Sequence, residues 1–130
     1  MCAYYERSRQ PRSIIIRDIS EECAHEALYD ALTNLPNRRG IQKFIDHEIN
    51  RAKRQQEHLT LILSDIDRFK QVNDNYGPDG GDIALRHVAD LFQEVIRDTD
   101  GVARWGGEGF LFVLPTTHNN NGVGIAEHIR

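Results

Sequence analysis

With 130 residues, the chain has room for one domain and a flanking segment, and its 39% hydrophobic and 28% charged residues suit a soluble globular fold. No apolar run is long enough to span a bilayer, and Met1 to Arg7 lack the apolar core of a secretory signal. A formal net charge of −4 excludes a broad basic face for nucleic acid, yet allows a small phosphorylated substrate bridged by metal ions. Cys2 and Cys23 have neither metal-ligand nor disulfide-framework spacing, so a reduced, cytoplasmic setting is expected.

Residues 1–12 are polar and without periodicity. Ser13 to Arg17, SIIIR, is a β-branched run that predicts a short strand. Asp18 or Ser20 can cap a following helix that opens with Glu21 and Glu22, acids suited to a helix N-terminus. Cys23, Ala24, Ala27, Leu28, Ala31 and Leu32 form a narrow apolar stripe, as in a helix packed on a partner helix. Thr33 to Asn37 breaks this pattern, which divides the chain into residues 1–17, a linker helix over 18–33, and a domain over 34–130.

A second helix is predicted from Arg38 to Gln55, with Ile41, Phe44, Ile45, Ile49 and Ala52 on one face. Leu59 to Ser64 reads as a strand buried on both faces and ending in Asp65-Ile66-Asp67. A short helix over 69–75, a glycine-rich loop over 76–82, and a helix carrying Leu85, Val88, Leu91, Phe92, Val95 and Ile96 follow. The segments 101–105 and 110–114, joined by a Gly-Gly turn, form a β-hairpin by pattern; after Pro115 an Asn-rich turn leads into a last helix. Alternating helices and strands make the fold class α/β.

Three segments carry residues with chemistry. Asp65 and Asp67 share one side of the strand end if the extended backbone persists, and two carboxylates there either bind Mg²⁺ or simply solvate the loop. In RWGGEGF, Gly106 and Gly107 permit positive φ and close approach of a ligand, while Glu108 projects from the hairpin tip. Glu108 is either a solvent-facing turn residue or, with Asp65, part of a metal cluster suited to phosphoryl or nucleotidyl transfer. In the third segment, Asn73 and Asp82 can together read a purine edge, or serve as a cap and a turn former. Lys70 faces a phosphate or only solvent, and the six histidines have no ligand spacing.

Taken in order, DALTNLPNRR, LILSDIDRFKQVNDNYG, GGD and RWGGEGF closely resemble the GGDEF domain family of diguanylate cyclases, from Asp30 to Arg130. SIIIRDISEECAHEAL resembles the last strand of a PAS-type sensor followed by a signalling helix, so the resemblance implies an upstream sensor domain. It further implies a nucleotide-cyclase-like palm fold, with a central, mostly antiparallel sheet flanked by helices and a C-terminal part beyond Arg130 that carries triphosphate-binding basic residues. Members of the family condense two GTP into cyclic di-GMP and pyrophosphate with Mg²⁺ or Mn²⁺. They act as a homodimer in which each 3′-hydroxyl attacks the other nucleotide's α-phosphorus.

By resemblance, Asp65 binds metal through its carboxylate, Ile66 through its carbonyl, and Glu108 binds metal and activates the 3′-hydroxyl. Asn73 and Asp82 match guanine-reading positions, and Lys70 matches a lysine near the phosphates. Arg97-Asp98-Thr99-Asp100 fits the RxxD product site, with Arg97 on phosphate or guanine and Asp100 accepting from guanine. Two residues depart from the family pattern: Gly109 replaces its second acid, and Pro78 replaces a usual histidine. The alternatives to a cyclase are a non-catalytic module binding cyclic di-GMP or GTP, and a structural remnant that only dimerises through residues 24–32.

Overall fold

The computed structural model describes residues 25 and 27–129. The expected strand over 13–17, the helix start at Glu21, and Cys23 and Ala24 lie outside these residues. The helical character at Ala27 and Leu28 does not continue through Ala31 and Leu32, which sit in a turn with Thr33. The Asp30 side chain is the reason: Oδ2 accepts from Thr33 N at 2.9 Å and Thr33 Oγ1 at 2.7 Å. A short acidic side chain that binds the backbone locally competes with helix propagation in this way.

Helix α1, Arg38–Gln55, is capped by Asn37, whose side chain accepts from Gly40 N. Lys53 and Arg54 stand in its last turn, where cations oppose the partial charge of free carbonyls. Strand β1 is Leu59–Asp65, and the helical span α2 is Phe69–Val95. Strands β2, Gly101–Arg104, and β3, Gly109–Pro115, form the hairpin, and α3 is Asn119–Ile129. Sheet order is β1-β3-β2, antiparallel throughout, with register running from Leu59↔Pro115 to Asp65↔Gly109.

The sheet separates two apolar layers. Ile41 and Ile45 of α1 pack with Ala103, Leu111 and Val113 on one face. On the other, Leu85 and Ala89 of α2 pack with Val102, Phe110, Phe112 and Leu114, joined by Ile125 of α3. Phe92 meets Phe110 and Phe112 edge-on at 5.1 and 4.9 Å, a favoured aromatic geometry. Every residue of β3 is buried.

Two expectations change. β1 is not buried on both faces: Leu61 is 48% and Leu63 65% exposed. Helix α1 lies mainly over β2, so it leaves these β1 residues uncovered at the sheet edge. Nor is 76–82 a loop. The break in α2 is confined to Gly77 (φ 76°), and Pro78 opens the continuing helix, where its fixed φ and missing N–H are tolerated. Only glycine adopts that φ without strain.

Among the described residues no helix is long and apolar enough to cross a membrane. Replacing Phe112 by Ala is expected to destabilise the fold by about 3–5 kcal/mol, whereas Leu63→Ala at the exposed edge changes it by less than about 1 kcal/mol. Urea midpoints of the two variants check this difference.

Candidate active site at the hairpin tip

Register between β1 and β3 is what assembles the site. Asp65, the last residue of β1, is the cross-strand partner of Gly109, the first of β3. Just beyond, Ile66 N donates to the Glu108 carbonyl at 3.1 Å. Asp65 and Glu108 therefore line one cleft of about 340 Å³, together with Arg38, Leu63, Ser64, Trp105, Gly106, Gly107 and Gly109. β1 ends at Asp65 and Asp67 enters a turn, so the extended alternation that would align the two does not persist.

The glycines here act through space rather than through φ. Among the described glycines only Gly77 has positive φ, so neither Gly106 nor Gly107 uses the conformation expected of them. A Cβ on Gly107 would meet nothing within 4 Å. Gly109 differs, because a Cβ there would lie 3.2 Å from Asp65 Oδ1. An acid at 109 would press directly on the Asp65 carboxylate, and its absence removes one negative charge from the cleft.

Asn73 and Asp82 are brought together by the break at Gly77. The Asn73 side chain rests against Gly81, the neighbour of Asp82, so closely that any Cβ on Gly81 would overlap it. Asp82 is exposed and Asn73 half-buried, with the Asn73 Oδ1 turned against buried Gly81. Lys70 is exposed in the first turn of α2, after Arg68 in left-handed backbone (φ 58°).

Arg97 and Asp100 stand at the other end of the hairpin, roughly 20 Å along β3 from Gly109 at the usual strand rise. Arg97 Nε reaches both Asp100 oxygens, at 3.2 and 3.0 Å, and Nη2 reaches Oδ1 at 2.8 Å. Nη2 also donates to Pro115 O at 3.0 Å and to Thr117 Oγ1 at 2.9 Å. The hydrogen bonds to Asp100 raise the Arg97 pKa against a smaller opposing effect of burial. The Asp100 side chain is only 2% exposed, beneath Arg97.

Two residues without an expected role stand out. Arg104 Nη1 donates to Asp30 Oδ1 at 3.1 Å and Oδ2 at 3.0 Å, across 74 positions of chain. Arg38 Nε donates to the Trp105 carbonyl, with its guanidinium 4.7 Å above the indole ring. Opposite charges in DALT and RWGG were the available signal, but nothing local links segments so far apart.

These features define an α/β domain with a carboxylate cleft at a strand-and-hairpin edge. Residues 27–130 match the family "Diguanylate cyclase, GGDEF domain". The chain belongs to that family. It is 38% identical over 117 residues to diguanylate cyclase DosC of Escherichia coli, covering 89% of this chain but 25% of DosC. The coiled-coil and GGDEF structure of DgcB from Caulobacter crescentus, solved with c-di-GMP, aligns with TM-score 0.82 and 30% identity over 92% of this chain and 63% of that one. The active GGEEF domain of a Vibrio cholerae diguanylate cyclase aligns with TM-score 0.69 and 44% identity, over 72% and 60%. The chain thus spans about a quarter of the DosC length.

Asp30 is a measurable feature of the site's periphery. Burial alone would raise its pKa, but the Thr33 hydrogen bonds and Arg104 outweigh this and hold it below the ordinary value. A depressed folded pKa adds stability above the unfolded value of about 3.9, and that stability is lost as pH falls through the folded pKa. Asp30→Asn is accordingly expected to lower the urea midpoint at pH 7, with the gap from wild type closing below about pH 4.

Proposed function

We propose that this domain is a diguanylate cyclase catalytic unit, condensing two GTP into cyclic di-GMP and pyrophosphate as a homodimer. One observation carries the reading: β1–β3 register sets Asp65 against Gly109, with Glu108 tied to Ile66. Two carboxylates in one open cleft fit Mg²⁺ or Mn²⁺, hard cations that take one or two carboxylates and complete their shell with phosphate oxygens and water. Among the described residues no three His, Cys, Asp or Glu side chains converge.

In this reading Asp65, the Ile66 carbonyl and Glu108 hold the cation, which when bound supplies charge neutralisation at the α-phosphate. Glu108 accepts the 3′-hydroxyl proton, and the attacking oxygen bonds to the α-phosphorus as pyrophosphate leaves. Asn73 and Asp82 take the guanine edge, Asp82 accepting from N1–H and the exocyclic amine. Lys70 meets phosphate. The open space over Gly106 and Gly107 admits the nucleotide. Incubation with GTP and Mg²⁺ is expected to yield cyclic di-GMP by chromatography. Asp65→Ala and Glu108→Ala should each lower the rate by about a hundredfold or more; turnover unaffected by either change would remove the reading.

Gly109 favours a second reading, that the domain binds cyclic di-GMP or GTP without efficient turnover. A missing acid beside Asp65 weakens cation binding, so Gly109→Glu should raise cyclic di-GMP synthesis, with an unchanged rate showing that the acid is not limiting. Arg97 and Asp100 would then be the product site, Arg97 contacting phosphate or guanine. Calorimetric titration with cyclic di-GMP tests this: binding is expected in the wild type and lost in Arg97→Ala, and unaltered affinity in the variant rules the site out.

A further inference from the structure

Trp105 packs against the α1-side apolar cluster and under Arg38, but the two glycines between it and Glu108 have no packing of their own. Beyond the adjacent residues, no atom lies within 4 Å of a Cβ placed on Gly107, and for Gly106 the nearest is Arg38 Nη2, at 4.0 Å. The backbone from Trp105 to Glu108 is held by hydrogen bonds: Trp105 N and Gly106 N donate to Gly109 O at 2.8 and 3.3 Å, and four successive carbonyls each accept one from a neighbouring donor. Trp105 O takes Arg38 Nε, Gly106 O takes Arg104 Nε at 3.3 Å, Gly107 O takes Arg104 Nη2 at 2.8 Å, and Glu108 O takes Ile66 N at 3.1 Å. One guanidinium therefore holds the two glycines that directly precede Glu108.

That guanidinium is itself oriented from a distance. Its remaining nitrogen, Nη1, donates to both oxygens of Asp30, and both side chains are largely shielded, at 17% and 21% exposure. Asp30 is fixed in turn by Thr33, and Arg104 N donates to Pro36 O at 2.9 Å. Only a planar fork with donors in three directions can serve a carboxylate and two carbonyls at once; a lysine ammonium cannot span them.

We infer that Arg104, oriented by Asp30, is a positioning residue for Glu108, and that the Asp30–Pro36 segment sets the geometry of the hairpin tip through it. The inference rests on the proposed cyclase activity for its kinetic consequence but not for its structural one. A displacement of the segment before α1 moves Asp30, rotates the guanidinium, and shifts the backbone on which Glu108 stands. Neither residue touches the nucleotide in the proposed reaction, so both act on the chemical step and leave guanine recognition at Asn73 and Asp82 alone.

Trp105, the only tryptophan of the chain, lies between Arg104 and the tip and reports its geometry without any activity. The test compares wild type, Asp30→Asn, Arg104→Lys and the double variant, with Arg51→Ala as a control that breaks a remote ion pair on α1. Acrylamide quenching of Trp105 is expected to increase in all three hairpin variants and to match wild type in Arg51→Ala. In the intact protein, kcat should fall by up to roughly a hundredfold with KM for GTP changed by less than about threefold, and the double variant should be no worse than the poorer single.

Circular dichroism establishes that each variant is folded, and Arg104→Lys carries the test if Asp30→Asn is not. Wild-type quenching and kcat in a folded Arg104→Lys would overturn the inference, as would a loss expressed wholly in KM. If the wild type itself makes no cyclic di-GMP, the cyclase reading fails and quenching alone decides: unchanged Trp105 accessibility in the folded variants overturns the positioning role.

Discussion

The pairing of β1 with β3 is the constraint on which the rest depends. Seven residue pairs run from Leu59↔Pro115 to Asp65↔Gly109. Because β3 is buried along its whole length, slipping by one residue would exchange Phe110, Phe112 and Leu114 with Leu111 and Val113 between two different apolar layers. Packing thus specifies the register far more strongly than the hydrogen bonds alone would. Asp65 stands beside Glu108 as a by-product of that packing, on a rigid strand end rather than a free loop.

The two ends of β3 differ in kind. At Pro115 the polar groups are closed on one another, with Arg97 committed to Asp100, Pro115 and Thr117. At Gly109 the carboxylates face an open cleft, and the backbone that carries Glu108 is held by hydrogen bonds from Arg104, Arg38 and Ile66. A tip held by polar ties can be displaced at lower cost than a packed one, and one of its ties leads to Asp30, outside the sheet. Site geometry and the segment preceding α1 are therefore not independent.

Much of this was legible in the residues. The α1 face of Ile41 and Ile45, the β2–β3 hairpin and the strand ending at Asp65 follow from periodicity, because each is a local pattern. The family followed from four motifs in register. What local pattern could not carry was context. LTLIL is apolar at four of its five positions, and only the placement of α1 over β2 decides that Leu61 and Leu63 stay exposed. Gly80 and Gly81 look like a loop, yet they are helical, and Gly81 lets Asn73 rest against it. The Asp30–Arg104 pair joins positions 74 apart, and neither residue announces the other.

In the proposed reaction Asp65 and Glu108 form one cation site completed by nucleotide phosphate. Electron paramagnetic resonance of Mn²⁺, titrated with a non-hydrolysable GTP analogue present, tests it most directly. Bound Mn²⁺ is expected in the wild type and should be lost in both Asp65→Ala and Glu108→Ala. Wild-type Mn²⁺ binding retained in either folded variant would contradict a shared site.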